Sequence, residues 1–171
     1  SEGSSPLLSF GGKMAVELKD KVPPHNLDAE QATLGAILFD WDVMSDVSSR
    51  LRPDRFYSLQ NQIIFEGLIS LLKQNVRGDS ITLVNELTKL NKLEQAGRAA
   101  YIAGLTDTVA TAANINFYID IILGCAARRD LIKLATDLRA SAFDDTKEAS
   151  MLWEQAEKKI FALTENTETS K

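Results

Sequence analysis

The architecture of this chain follows from "AANINFYIDIILGCAARRDLIKLATDLRASAF", residues 112–143. The segment contains no proline and a single glycine, Gly124, so nothing in it forces a helix to end. Apolar residues recur at spacings of three and four, which is typical of an α-helix. They form two stripes: Ile115, Ile119, Ile122 and Ala126 near the start, then Leu131, Leu134, Ala135, Leu138 and Ala142.

The length of this predicted helix constrains its position. A helix of about 32 residues is roughly 48 Å long. A compact chain of 171 residues has a diameter of only about 40 Å. The helix must therefore kink at Gly124 or protrude from the globule.

A second helix follows a turn at Asp144–Thr146. Its sequence, "ASMLWEQAEKKIFALTE", carries Leu152, Ala156, Ile160 and Leu163 on one face. The short connection makes the two helices antiparallel neighbours. Other apolar residues remain outside this hairpin: Ile132, Trp153 and Phe161. Apolar side chains on a protrusion indicate association with another chain.

The part before residue 112 also has helical spacing. In "PPHNLDAEQATLGAIL", Asn26 can cap a helix whose first turn carries Asp28 and Glu30, and small residues form a stripe suited to close packing. "NQIIFEGLISLLKQN" and "AAYIAGL" are further helices, separated from the first by "RPDRFY". "SITLVNELTKLN" begins with β-branched residues, but its leucines keep helical spacing. No segment alternates long enough to predict a sheet.

We therefore predict an all-α fold, with a globular helical head followed by an extended antiparallel helical hairpin. The head covers residues 14–110 and the hairpin residues 111–165. Residues 1–13, "SEGSSPLLSFGGK", are interpreted as the remnant of an expression tag preceding a natural start at Met14. A native disordered arm is the alternative.

Composition narrows the classes of function. Apolar residues make up 44% of the chain, and the net charge of −5 gives no general attraction to DNA or anionic membranes. One cysteine, Cys125, excludes an internal disulfide and fits a reducing compartment. No apolar run reaches the length of a membrane span.

The sequence offers no catalytic constellation. Gly11-Gly12-Lys13 lacks the remaining residues of a phosphate-binding loop. His25 is the single histidine and is interpreted as a loop residue, while Cys125 is a core or interface residue. Four aspartates are interpreted as caps and turns rather than a metal site: Asp40, Asp42, Asp46 and Asp54. We expect no cofactor and no metal in this chain.

A basic stretch lies on the long helix, at Arg128, Arg129, Lys133 and Arg139. It could meet DNA or an acidic partner helix. A solvated face with local salt bridges to Asp130 and Asp137, or a protein contact, is favoured because the chain is acidic and contains no groove-reading motif.

The chain resembles the N-terminal domain of bacterial replicative DNA helicases of the DnaB type. The resemblance runs from Lys21 to Glu165 and rests on motifs in order: "KVPPHNLDAEQATLGAIL", "RFY", "QIIFEGL", "ITLVNEL", "AYIAGL", "TAANINFYIDIIL" and "RRDLIKLATDL". Two departures are small. Ala110 replaces the family's usual proline, and Gly97-Arg98 replaces a pair of glycines.

The resemblance implies a function in DNA replication. Such domains form a non-catalytic collar, in which hairpins pair between subunits and dimers assemble into a hexameric ring. The collar also docks the helicase-binding domain of primase and often a helicase loader. ATP, Mg²⁺ and most DNA contacts belong to a separate C-terminal motor domain, and residues 166–171 are interpreted as the start of the linker to it. The chain is then a fragment of a protein of the bacterial cytoplasm.

Candidate residues follow from this implied function. For primase we single out Tyr101, Ile132 and Leu138; the alternative is that all three are core residues. For self-association we single out Leu152, Trp153, Ile160 and Phe161. A helical DNA-binding or regulatory module is the alternative function.

Overall fold

The structure of the protein, a computed structural model, describes residues 21–109 and 111–168. These residues form seven α-helices and two short 3-10 helices, with no strand among them, which confirms the all-α prediction. The helices are α1 (Leu27–Phe39), α2 (Met44–Arg50), α3 (Leu59–Lys73), α4 (Ser80–Lys89), α5 (Arg98–Asp107), α6 (Ile115–Ala142) and α7 (Ala149–Glu168). The predicted tag remnant at residues 1–13, Met14 and Ala110 lie outside the described residues.

Helix α1 is the centre of the head and packs against α3, α5 and α6. Asn26 caps it as predicted, since its Oδ1 accepts a hydrogen bond from the backbone N–H of Ala29 at 2.9 Å. Ala29 and Ala36 are buried. A Cβ atom on Gly35 would collide with the backbone carbonyl oxygen of Leu105 in α5. The small residues therefore let α1 pack closely inside the head, as predicted.

Helices α3 and α4 supply much of the remaining core. Ser58 caps α3, and a 3-10 helix at Pro53–Arg55 interrupts the chain before it. Asp79 caps α4 in a reciprocal arrangement with Thr82, and its carboxylate accepts the Thr82 N–H at 2.7 Å. This cap, together with buried Leu83 and Leu87, explains why the β-branched start of α4 is helical, as predicted.

Helix α6 links the head to the hairpin. Its 28 residues run without interruption through Gly124. Ile115, Ile119 and Ile122 belong to the core of the head, so the first half of α6 is a head element. Beyond Ala126, the one buried residue of α6 is Leu134.

Helix α7 forms a hairpin with α6, as predicted. The residues between the two helices, 143–148, include a turn in which the Thr146 N–H donates to the Asp144 carboxylate at 3.2 Å. α7 packs mainly against α6. It continues to Glu168, into the segment that we interpreted as the start of a linker. Among the described helices, none is both long enough and apolar enough to cross a membrane.

Candidate protein-interaction surface

One side of α6 carries a repeat that extends an apolar stripe predicted from the sequence. Its positions alternate at spacings of four and three, the pattern of a helix that packs along a second helix. We call them the α6 stripe: Phe117, Ile121, Gly124, Arg128, Leu131, Ala135, Leu138 and Ala142. Phe117 and Leu131 are exposed, and Leu138 is half-buried. The sequence analysis identified the second half of this repeat, from Leu131 to Ala142, but missed that the same 4-3 spacing extends back to Phe117.

Helix α7 presents a second exposed apolar surface. Trp153 is 74% exposed and Phe161 62% exposed, which confirms the prediction that both lie outside the hairpin seam. Ile160 is 50% exposed, so its predicted place in the seam is wrong. Because Ile160 lies seven residues after Trp153, the two share one side of the helix. We call Trp153, Ile160 and Phe161 the α7 stripe.

The seam of the hairpin is formed by other residues of α7. Leu152, Ala156 and Leu163 are half-buried on a helix that packs mainly against α6. Leu152, a predicted self-association residue, is therefore partly covered within its own chain. A substitution of Leu152 would disturb the hairpin itself.

The three primase candidates lie on two parts of the molecule. Tyr101 is in the head, half-buried, and its hydroxyl donates to Asn61 Oδ1 at 2.8 Å. Burial raises the pKa of Tyr101, and nearby Glu30 adds to this effect against the opposing hydrogen bonds. Ile132 is exposed on the hairpin and Leu138 is half-buried there. Of the three side chains, Ile132 has the largest free surface.

The charges beside the two stripes differ in sign. In helical projection, Arg128 and Arg139 lie within about 80° of Leu131, whereas Asp130 and Asp137 lie about 100° or more away. Glu157 and Glu165, four residues before and after Phe161, lie on its side of α7. Lys158, also on α7, is paired with Glu154 at 2.9 Å. Basic residues therefore lie within and beside the α6 stripe, whereas mainly acidic residues lie beside the α7 stripe.

The polar residues considered for catalysis have structural partners. Asp40 accepts the Asp42 N–H at 3.1 Å, Asp42 pairs with Arg77 at 3.1 Å, and Asp54 pairs with Arg52 and Arg55. No group of three or more histidines, cysteines or acids among the described residues is arranged to hold a metal ion. Asp40 is therefore a cap, as predicted, whereas Asp42 and Asp54 form ion pairs that we did not predict.

Comparison with known proteins identifies the family. Residues 22–124 match the family model described as the DnaB-like helicase N terminal domain. The chain belongs to the DnaB family. It is 41% identical over 148 residues to the replicative DNA helicase DnaB of Treponema pallidum, and 33% identical over 153 residues to the replicative DNA helicase DnaC of Bacillus subtilis. These matches cover 86% and 90% of this chain, and 34% of each relative. The chain thus spans about a third of the length of these relatives.

Solved structures of DnaB proteins share the fold. The N-terminal domain of DnaB helicase from Mycobacterium tuberculosis superposes with a TM-score of 0.77 at 30% identity, covering 83% of this chain and 99% of that one. The N-terminal domain from Helicobacter pylori, described with its interactions with primase, superposes with a TM-score of 0.58 at 22% identity, covering 67% and 89%. The predicted family and fold are confirmed.

Proposed function

We propose that this chain is the N-terminal collar domain of a hexameric bacterial replicative DNA helicase. In this role it pairs with copies of itself through the hairpin and docks primase. The observation that carries the proposal is the pair of exposed apolar stripes on α6 and α7, in a domain of the DnaB family. A helicase loader would dock on this collar in addition to primase. Unwinding driven by ATP and Mg²⁺ and most DNA contacts belong to the full-length protein, in the bacterial cytoplasm.

Charge complementarity supports pairing between hairpins. The α6 stripe with its flanking arginines can face the α7 stripe and its flanking glutamates on a second copy. A two-fold axis repeats each contact, so the α7 stripe of the first copy meets the α6 stripe of the second. Both apolar stripes are then removed from water by one interface.

Phe161→Glu tests the pairing. Phe161 is 62% exposed and lies off the seam, so the substitution leaves the hairpin intact but places a carboxylate in the interface twice. We expect the sedimentation coefficient to stay that of a monomer at concentrations where the wild-type chain associates.

Ile81→Glu is the matched control. Ile81 is 80% exposed but lies on α4 in the head, so this variant is expected to associate like the wild type. If Phe161→Glu associates like the wild type at every concentration, Phe161 is not in the interface.

Primase docking is supported by two solved structures of this fold, each described with interactions with primase. Ile132 is the best placed of our three candidates because it is exposed on the hairpin. We expect Ile132→Ala to weaken binding of the helicase-binding domain of primase by about 2 kcal/mol, or roughly thirtyfold, if it is a hot spot. The melting temperature should not change.

Tyr101→Ala distinguishes a contact residue from a core residue. Because Tyr101 packs in the head and donates to Asn61, its truncation should lower the melting temperature. Titration calorimetry with both variants decides between the candidates. Unchanged primase affinity in folded Ile132→Ala and Tyr101→Ala would remove both residues from the docking site.

A further inference from the structure

Two adjacent residues hold α6 to the head at the point where its buried stripe ends. The last buried residue of that stripe is Ala126. The Arg129 guanidinium then reaches back to two loops: Nη1 donates to the carbonyl oxygen of Pro24 at 2.8 Å and Nη2 to that of Arg55 at 2.7 Å. One side chain therefore ties α6 both to the segment before α1 and to the segment before α3.

Asp130 adds an ion pair to the same place. Its Oδ2 accepts a hydrogen bond from Arg55 Nη1 at 2.6 Å. The side chains of Arg55 and Asp130 are 20% and 33% exposed, so solvent screens this pair less than it screens a surface pair. Asp54 also pairs with Arg55, since its Oδ2 lies 3.3 Å from Nη2 of the guanidinium. Although burial opposes the shift, Arg55 and Arg52 lower the pKa of Asp54.

An aromatic stack completes the cluster. The His25 ring stacks on Tyr57 with centroids 4.4 Å apart, and the Arg129 guanidinium carbon lies 5.7 Å from the centre of the Tyr57 ring. A guanidinium over a tyrosine ring is attractive and orients both groups. Arg129 thus makes one hydrogen bond to each of the two segments. It also contacts the segment before α3 through the ring of Tyr57.

No described residue of α6 after Leu123 belongs to the core of the head, although Ala126 is buried. After Asp130, the one buried residue of α6 is Leu134, and α7 packs mainly against α6. Gly124 lies five residues before Arg129, and a Cβ atom at this position would contact nothing outside the backbone of its own helix. A glycine inside a helix weakens it and is a common place for a bend.

We propose that Arg55, Arg129 and Asp130 form a latch that sets the angle between the hairpin and the head, with Gly124 as the hinge. Opening the latch lets the hairpin tilt while both parts stay folded. From the hinge at Gly124 to residue 142, α6 extends about 27 Å. A tilt of about 10° therefore moves the tip by about 5 Å. This motion belongs to the single chain and does not depend on pairing or on primase.

Double electron–electron resonance, which measures the distribution of distances between two spin labels, tests the latch. Labels are placed at Asn85→Cys on α4 and Asp145→Cys at the hairpin tip, both exposed, in a Cys125→Ser background. The labelled chain is diluted into excess unlabelled chain, so that only distances within one molecule are measured. The latch variant is Arg129→Gln with Asp130→Asn. The matched control is Lys133→Gln with Asp137→Asn, which removes one charge of each sign at exposed positions of α6 outside the α6 stripe.

We expect a narrow distance distribution for the wild type and the control, and a distribution about 5 Å broader for the latch variant. Gly124→Ala added to the latch variant should narrow it again. Equal distributions in the latch variant and the wild type overturn the latch, and a distribution that stays broad after Gly124→Ala overturns the hinge. If the latch variant does not fold by circular dichroism, Asp130→Asn alone is measured, and it must also broaden the distribution.

Discussion

Glu30 connects three parts of the head through one buried carboxylate. Its oxygens accept hydrogen bonds from the backbone N–H groups of Tyr57 at 2.5 Å and Ser58 at 3.3 Å, and from Asn61 Nδ2 at 2.8 Å. The sequence placed Glu30 beside Asp28 as a favourable charge in the first turn of α1. The structure gives it a second role, at the start of α3, that spacing along one helix cannot reveal.

Glu30→Ala should therefore cost far more stability than Asp28→Ala. Loss of the buried carboxylate leaves backbone donors without partners, for which we expect a loss of about 3 kcal/mol in the free energy of unfolding. Asp28 lies in the same helical turn but is exposed, so its removal should cost about 0.5 kcal/mol or less. Urea denaturation measures both variants, and equal losses would contradict the role given to Glu30.

Asp79 makes the stability of α4 depend on pH. Hydrogen bonds from Thr82 lower the pKa of Asp79 in the folded chain, so folding favours the ionised carboxylate. The stabilisation is therefore complete above the unfolded pKa and is lost as the pH falls through the folded pKa. Asp79→Ala should cost about 1 kcal/mol at pH 7, and the difference from wild type should shrink below about pH 4.

Denaturant titrations at pH 7 and pH 3 measure this difference. Asp145→Ala, an exposed aspartate in the turn before α7, controls for the general loss of negative charge. A difference between wild type and Asp79→Ala that is as large at pH 3 as at pH 7 would show that the cap does not act through its charge.

At the scale of the element, two glycines within helices have opposite surroundings. Gly35 in α1 faces the carbonyl of Leu105, whereas Gly124 in α6 faces open space. Gly35→Ala should lower the melting temperature, because the added methyl group costs about 1–3 kcal/mol by overpacking. Gly124→Ala should raise it, because alanine favours a helix by about 1 kcal/mol over glycine. A thermal melt in which both substitutions act in the same direction would contradict these surroundings.

The helices themselves could be predicted from the sequence, because caps and apolar spacing are local. Helices α1, α4 and α6 were predicted correctly from local signals: the cap Asn26, the leucines of α4 and the apolar stripe at the start of α6. The prediction that Ile160 lies in the seam was wrong. The sequence shows only that this residue is apolar, and it cannot distinguish a residue inside the seam from one about 60° away. The tertiary partners of Arg129 and Asp130 could not be predicted, because they lie outside α6 and more than 70 residues away in the sequence.

At the scale of the whole molecule, the head and hairpin should differ in protection of their backbone amides. The head contains the buried core, whereas α7 packs mainly against one helix. Hydrogen exchange measured on dilute chain should therefore be slow in α1 and α3 and fast in α7. At concentrations where the chain associates, exchange in α7 should become slower while α1 stays unchanged. Equal protection of α7 and α1 in dilute solution would contradict this division.

The turn between α6 and α7 has a further consequence. Residues 143–148 lie on the surface and join two helices whose main contact is with each other. Proteolytic cleavage after Asp145 would turn their pairing from an intramolecular contact into a bimolecular one, without the high effective concentration that the turn provides. The released fragment would then exchange with added free peptide of the same sequence, so a labelled α7 peptide could replace the native helix in a nicked chain.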